Sequence, residues 1–460
     1  MALGKRKDVS QPLFISTADL PSVRANPFYD AVNKVLHAHQ FDPFVEHLCG
    51  KFYRDNVGRP GLAPGIYFRC LLVGYFEGLD SERGIAWRCA DSKSLGLFLG
   101  CAIDQPTPDH STISRTRRLI DLETHQEVFA YVLKILANHD LIEGKTIGVD
   151  STTLEANAAL RSIVRRDNGQ GYQEFLTELA KQSGIETPTR QDLAKLDRKR
   201  KNKGSNDDWQ NPHDPDAKIT KMKDGTTHLA HKAEHAVDMD SGVILAVNVC
   251  DAAVGDTQTI CDTVNQASEN LRAIADDQRV SEKIGKQWAS EAVADKGYHS
   301  NDTMCDLGEM QLRSYISEPD RGRRSWMDKE DGPDARDATY ANRRRIRGER
   351  GKGLMRKRGE LLERSFAHAY ETGAMRRLHL RHRENIAKRV LIHVAGFNLG
   401  LLMRVRYGLR KPRGLVGRVF ALIVDLWEWL RSLAAAMREF WRDRRWIGSS
   451  NPVARGMLAA

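Results

Sequence analysis

Three acidic residues stand where short apolar runs end or where a basic helical stretch passes. Asp150 closes Thr146-Ile147-Gly148-Val149-Asp150, a buried-strand pattern. Asp295 closes Glu291-Ala292-Val293-Ala294-Asp295 and runs into Lys296-Gly297-Tyr298. Glu363 lies in Leu361-Leu362-Glu363-Arg364-Ser365-Phe366, within a helical stretch. In an open α/β sheet, strand ends gather at a crevice where ligands bind. Acids converging there repel one another unless a cation joins them. Hard oxygen donors with no Cys or His cluster nearby suit Mg²⁺ or Mn²⁺. Two such ions, about 3.5–4 Å apart, would activate a water or a 3′-hydroxyl and stabilise the leaving oxygen of an in-line phosphoryl transfer. Glu360 lies one helical turn before Glu363 and shares its face; the Arg-Ser-Phe context favours Glu363.

Cations crowd the same part of the chain. Arg321, Arg323 and Arg324 are followed by Arg343-Arg344-Arg345, Arg347, Arg350, Lys352, Arg356-Lys357-Arg358, Arg376-Arg377, Arg381 and Arg383. Arginine outnumbers lysine here, and its planar fork matches phosphate oxygens. Earlier, Thr107-Pro108-Asp109 reads as a helix start, with Thr107 as N-cap and Pro108 in the first turn. The turn that follows presents Ser111, Thr112, Ser114, Arg115 and Arg118, all able to bond phosphates or base edges. With a helix at Ser81–Ala90 it would form a helix-turn-helix-like unit.

The elements that must position these groups change character along the chain. Phe28–Leu48, Gly65–Gly78, Ser81–Ala90 and Leu122–Leu141 carry apolar residues at helical spacing. From Lys145 the period is that of strands: Thr146–Asp150, His231–Met239, Val243–Val249, Glu291–Asp295 and Leu312–Ile316, with a helix at Asp256–Ala275 and more helix from about Ala335. The order is strand, hairpin, helix, strand, strand, helix, which is an α/β layer with a mixed sheet. Arg161–Gly225 is charged and lacks an apolar face around Asp197–Asn206, so it reads as a flexible insertion. Expected domains are 1–140, helical and DNA-binding; 141–405, catalytic, with the insertion at about 161–225; and 406–460, an amphipathic helical tail.

The 460 residues carry 71 Lys+Arg against 61 Asp+Glu, a formal charge of +10, and 41% hydrophobic residues supply a core. These figures exclude a disordered chain or a disulfide mini-scaffold, and the charge suits a polyanionic partner. The N-terminus has no apolar signal run. Phe420–Met437 is interrupted by Asp425, Glu428 and Arg431, so no membrane partner is expected. Seven scattered cysteines without a Cys-x-x-Cys pair read as reduced thiols of a cytoplasmic protein.

At these residues the chain resembles a DDE transposase of a bacterial insertion sequence, a group with an RNase H-like catalytic core and an all-α N-terminal domain. Gly148-Val149-Asp150-Ser151-Thr152-Thr153 resembles the first Asp segment, and Ala294-Asp295-Lys296-Gly297-Tyr298 the second. Glu363-Arg364-Ser365-Phe366, continuing to Ala395-Gly396-Phe397-Asn398-Leu399, resembles the glutamate helix. Asp109-His110-Ser111-Thr112-Ile113-Ser114 resembles a segment of the N-terminal helical domain. The likeness runs from roughly residue 25 to 410.

The resemblance implies that Asp150, Asp295 and Glu363 are catalytic and hold two Mg²⁺ or Mn²⁺ ions. It implies binding of terminal inverted repeats, cleavage, strand transfer into target DNA, and a homodimer or larger multimer on paired ends. The protein would act in the bacterial cytoplasm, at the nucleoid. DNA contacts would come from Ser111, Thr112, Ser114, Arg115 and Arg118, and from Arg323, Arg324, Arg344, Arg358, Arg376 and Arg377. Trp326, in a basic stretch before the glutamate helix, is expected to stack on an unpaired base at the transposon end. Two positions depart from the family: Gly359 stands where an Arg is usual and Tyr370 where a Lys is usual, with Arg358 as a stand-in for the first.

Three other readings compete. His231-Lys232-Ala233-Glu234-His235 matches H-x-x-E-H, a zinc-protease pattern that requires a helix, whereas this segment alternates like a strand. A transposase-derived protein that binds DNA without cutting is the second, and an RNase H-like nuclease without strand transfer the third. Leu415–Arg444, with Trp427, Trp429 and Trp441, reads as an amphipathic helix.

Overall fold

The computed structural model describes residues 25–54, 61–102, 104–200, 204–222, 225–282, 284, 289–320, 322, 326 and 332–412. The Leu415–Arg444 segment and Arg321, Arg323 and Arg324 lie outside the described residues.

Seven helices come first: α1 (Pro27–Ala38), α2 (Phe41–Cys49), α3 (Pro64–Glu77), α4 (Glu82–Ala90), α5 (Lys93–Leu99), α6 (His110–Leu119) and α7 (Leu122–Asn138). The long helix expected over Phe28–Leu48 is broken at His39–Gln40, where Gln40 takes a left-handed φ of 55°. α6 starts later than expected. Its N-cap is Asp109, whose carboxylate accepts the Ser111 amide at 2.8 Å. A further helix, α5, separates α4 from α6, so the two that pack together are not consecutive.

Then follow β1 (Thr146–Glu155), β2 (Val164–Arg165), α8 (Tyr172–Gln182), α9 (Arg190–Lys199), β3 (Trp209–Gln210), β4 (Lys218–Lys221), β5 (Thr227–Asp238), β6 (Ile244–Asp251), α10 (Asp256–Ala275), α11 (Gln278–Ser281), β7 (Glu291–Ala294), α12 (Asn301–Glu309) and β8 (Arg313–Ile316). Three helices close the described chain: α13 (Gly332–Arg347), α14 (Glu349–Phe366) and α15 (Arg383–Tyr407). β5 pairs antiparallel with β1 on one edge and with β6 and β4 on the other; β7 adds parallel to β1, and β8 parallel to β7. Alternation of side chains sends Ser151 and Glu234 to the face covered by α10, and Gly148, Asp150 and His235 to the face crossed by α14. α14 comes close there because Gly148 has no side chain: a methyl at that position would lie 3.2 Å from Leu362.

Two expectations change. Asp150 does not end its strand, because hairpin pairing with β5 carries β1 on to Glu155. What ends near Asp150 is the pairing with β7, at Gly148↔Val293. The insertion expected to be flexible forms α8, α9 and the β2–β3 pair instead. Leu176, Ala180 and Leu193 bury one small core, and Trp209 with Ile163 and Leu229 another. Phe175 and Tyr172 lie against Trp209, with Arg165 and Arg200 over the rings.

The main core is continuous across the expected boundary at residue 140 and runs from Phe28 to Met403. α15 is the reason. It packs on α3 and α7 on one side and on β6 on the other. The Arg389 guanidinium, fully enclosed, donates to the Leu71 and Leu79 carbonyls. Asn398 brackets Ile244 of β6 by accepting its amide and donating to its carbonyl. By length and composition α15 could cross a bilayer, yet 89% of its most apolar window is buried inside the protein.

Candidate active site

Register brings two of the expected acids together. Gly148 and Val293 are paired in the parallel ladder. Two residues beyond each of these stand Asp150, on the α14 face of β1, and Asp295, just past the end of β7. Tyr298 holds the loop after β7. Its ring is buried and its hydroxyl donates to Glu234 of β5 at 2.8 Å. Glu234 also accepts from Thr259 and Thr263 of α10, and burial raises its carboxyl above the usual range despite those bonds. Asp295 in turn caps the short turn by accepting the Gly297 amide at 2.7 Å.

A third acid at this edge is Asp256, which sequence reasoning passed over. It begins α10 and accepts the Ser151 hydroxyl at 2.9 Å and the Lys232 ammonium at 3.2 Å. Lys232 is almost wholly buried and also donates to the Val254 carbonyl and the Thr259 hydroxyl. A methyl on Gly297 would lie 3.0 Å from an Asp295 oxygen and 3.2 Å from an Asp256 oxygen, so both carboxylates face the same gap. Only the acidic start of a helix after Gly255 signals Asp256 in the sequence, and that is also how ordinary helices begin.

Glu363 is not brought in. It is exposed on α14, and its carboxylate has no hydrogen-bond or ion-pair partner among the described residues. Five residues separate it from Arg358, which faces the sheet, and this places it about 140° around the helix from that contact. Glu360 is exposed as well and is engaged by Arg364. Asp150, Asp295 and Glu363 therefore do not form a closed triad here. Among the described residues, the group of three whose ligand atoms all fall within 4.8 Å of one another is Asp214, Asp216 and His382. Its acids accept the His382 and Arg383 amides, and Asp214 also meets His231 at 3.2 Å, so the group caps α15.

The arginines divide into two kinds. Arg343 forks onto Glu318, Arg345 donates to Ser314, and Arg350 bonds Glu291, all fastening α13 and α14 to β7, β8 and the loop after β8. Arg344, by contrast, is exposed. Arg358 donates to Asp150 at 3.0 Å. Arg376 donates to the Thr152 hydroxyl and the Thr153 carbonyl, and the exposed Arg377 bridges alongside Glu155. From there the chain runs past Asp80, which His379 meets at 3.1 Å, to Asn385, which receives Arg117 of α6. A chain of contacts, joining cations to acids, an amide or the backbone, thus runs from β1 to α6. On that helix Ser111, Arg115 and Arg118 are exposed, Thr112 and Ser114 partly so. Arg117, not singled out by sequence, is buried against Glu82.

Residues 20–119 match a family model described as Transposase domain (DUF772). The match supports a transposase family, and with it transposition as the process and DNA as the partner. It covers the helices up to α6. No curated protein and no solved structure matches the chain.

The remaining expectations find these places. Trp326 is half-buried, its ring tilted against Tyr340 of α13 with centroids 6.4 Å apart. Tyr370, in the place of the family's Lys, is fully buried and donates to His235 Nε2 at 2.7 Å. Ser365 donates to the Leu362 carbonyl, so its oxygen takes the proton of His235 Nδ1 at 3.1 Å. Burial pushes the His235 imidazole down to about 3, and it stays neutral. His231 and His235 lie on one face of β5 and Glu234 on the other, which excludes a shared zinc of the protease kind.

Proposed function

We propose that the protein is a DDE-type DNA transposase with an RNase H-like core, binding the terminal repeats of its element and catalysing cleavage and strand transfer. One observation carries the reading. Asp150 and Asp295 each lie two residues past Gly148 and Val293, the last pair of the parallel ladder between β1 and β7, in a sheet of an antiparallel hairpin followed by two parallel strands. The match over residues 20–119 supports the same family.

The donor set fits hard divalent cations: Asp295 and Asp256 face one gap, Asp256 bonds Ser151 next to Asp150, and a guanidinium already rests on Asp150. Asp150 and Asp295 would hold Mg²⁺ or Mn²⁺, two ions in all, with Glu363 as the third carboxylate. Such ions supply activation of a water or 3′-hydroxyl and stabilisation of the leaving oxygen. The chain's own contribution is to hold the acids in register and to seat the phosphate backbone on Arg344, Arg376, Arg377 and α6. Paired ends would be held by two or more copies.

A second assignment of the third acid is favoured by geometry, since Asp256 lies at the edge and Glu363 faces away. The experiment compares wild type with Asp150→Asn, Asp295→Asn, Glu363→Gln, Glu360→Gln and Asp256→Asn on DNA carrying the element's ends, with Mg²⁺, Mn²⁺ or EDTA, recording binding separately. The expected result is metal-dependent cutting lost in the first three variants while binding survives. Normal cutting by Glu363→Gln with loss in Asp256→Asn moves the third position to Asp256. A wild type that binds its ends yet never cuts returns the protein to the class that only binds.

A further inference from the structure

The Arg358 guanidinium sits where a metal-binding carboxylate would want its ion. Nη1 lies 3.0 Å from Asp150 Oδ2, and the two side chains are only 16% and 24% exposed. This seat leaves the group incompletely bonded: Arg358 Nε is buried and has no hydrogen-bond partner. A buried N–H without an acceptor is rare and marks an arrangement held for another reason than its own stability. Space beside it is open. The next residue is Gly359, and a methyl placed there would meet no atom within 4 Å.

Building on the proposed metal-dependent activity, we infer that Arg358 is an exchangeable cation on Asp150. It neutralises the carboxylate in the free protein and leaves when duplex DNA offers a phosphate oxygen, opening Asp150 to a divalent ion. The Ser151 amide already holds Asp150 Oδ1 at 2.8 Å and Arg358 holds Oδ2; a guanidinium and a divalent cation on the same oxygen repel each other, so each weakens the other. Phosphate suits the released group, because the arginine fork donates to two of its oxygens and gives Nε an acceptor as well. Linkage then makes the effect reciprocal: DNA raises the affinity for the ion by the factor by which the ion raises affinity for DNA. A neighbour points the same way, since Arg376 already rests on Thr152, two residues along β1 on the face of Asp150.

The test needs no cleavage. Mn²⁺ binding to the full chain is followed by the loss of the free-ion paramagnetic resonance signal, with and without a mixed-sequence duplex, and Asp150→Asn identifies the binding that belongs to this site. Wild type should gain roughly tenfold in Mn²⁺ affinity when the duplex is added, within the usual range of coupling between sites. Arg358→Gln should bind Mn²⁺ that tightly without DNA and gain little from it. Arg358→Lys, which keeps the charge, should stay near wild type and shows that the glutamine effect is not a folding defect. An Arg358→Gln affinity no higher than that of wild type overturns the exchange and leaves the transposase reading standing. A wild-type affinity that ignores the duplex removes DNA as the trigger. Absence of Asp150-dependent Mn²⁺ binding from every form overturns the metal reading itself, and the exchange with it.

Discussion

Tyr298 ends on a carboxylate that has no water to turn to. Glu234 is fully enclosed and relies on Tyr298, Thr259 and Thr263 for its hydrogen bonds. Removing one donor leaves a buried acceptor short, at a cost of about 1–3 kcal/mol. Tyr298→Phe should therefore lower the melting temperature, and because the same ring pins the loop that carries Asp295, it should slow DNA cleavage by more than the stability loss accounts for. A rate unchanged at a temperature where the variant is folded would show that the pin is dispensable. At this scale the sequence is half legible. Asp150, Asp295 and the Gly-Tyr after it stand out by type and context. Asp256 and Lys232 do not, because their roles depend on a helix start and a strand meeting across a sheet edge. The Arg358–Asp150 pair spans 208 residues, a distance no local pattern reports.

Helices α13 and α14 look in sequence like a single block of positive charge, but the fold spends its arginines in two ways. Arg343, Arg345 and Arg350 are tied to Glu318, Ser314 and Glu291, while Arg344 is exposed and Arg377, though 3.6 Å from Glu155, is 71% exposed. Arg344→Ala and Arg377→Ala should each reduce the slope of log binding constant against log salt by about 1. Arg343→Ala and Arg345→Ala should leave that slope alone and lower the melting temperature instead. Equal slopes for all four variants would remove the distinction. Strands and helices with a clean period are well predicted from residue types: β6, β7, β8 and α10 lie where expected. β1 runs longer than its apolar run because pairing with β5, not hydrophobicity, extends it through Ser151–Glu155. α8 and α9 were hidden by charge, since their small cores draw on a few apolar residues each.

The whole molecule behaves as one core because α15 belongs to both halves. Arg389, whose guanidinium burial pushes down to about 10, reaches into α3 beside Gly74, where a methyl would lie 2.1 Å from its Nη2. A fragment covering residues 141–412 would expose the face of α15 that packs on α3 and α7, and should show no cooperative melting by circular dichroism. A sharp transition in that fragment would make the halves independent. Acid should unfold the intact protein by a traceable route. Burial lowers His235 to about 3, His125 to about 4 and His393 well below its usual value. Unfolded, each ring takes a proton near pH 6.5; folded, it resists. Stability is thus complete above pH 6.5 and drains as pH falls towards the folded values, by about 1.4 kcal/mol per pH unit for each ring. Replacing His235 with Gln should flatten the decline in a denaturant series between pH 6.5 and 4.

The insertion between β1 and β5 starts beside the strand it leads to. Ala156, the first residue after β1, donates its amide to the Leu229 carbonyl at 2.8 Å, and Glu155 pairs with Ala230. Within the insertion, residues 166–208 hang from the β2–β3 pair, where Val164 faces Gln210 and Arg165 faces Trp209, and lengthening a loop that is already closed costs only about 0.6 kcal/mol per doubling. Asp214 and Asp216 cap α15 and β4 pairs with β5, so the cassette is residues 166–208. Descendants of this chain could trim it to a tight turn, swap it, or enlarge it into a new module, and the pairing that aligns Asp150 with Asp295 would register none of those changes.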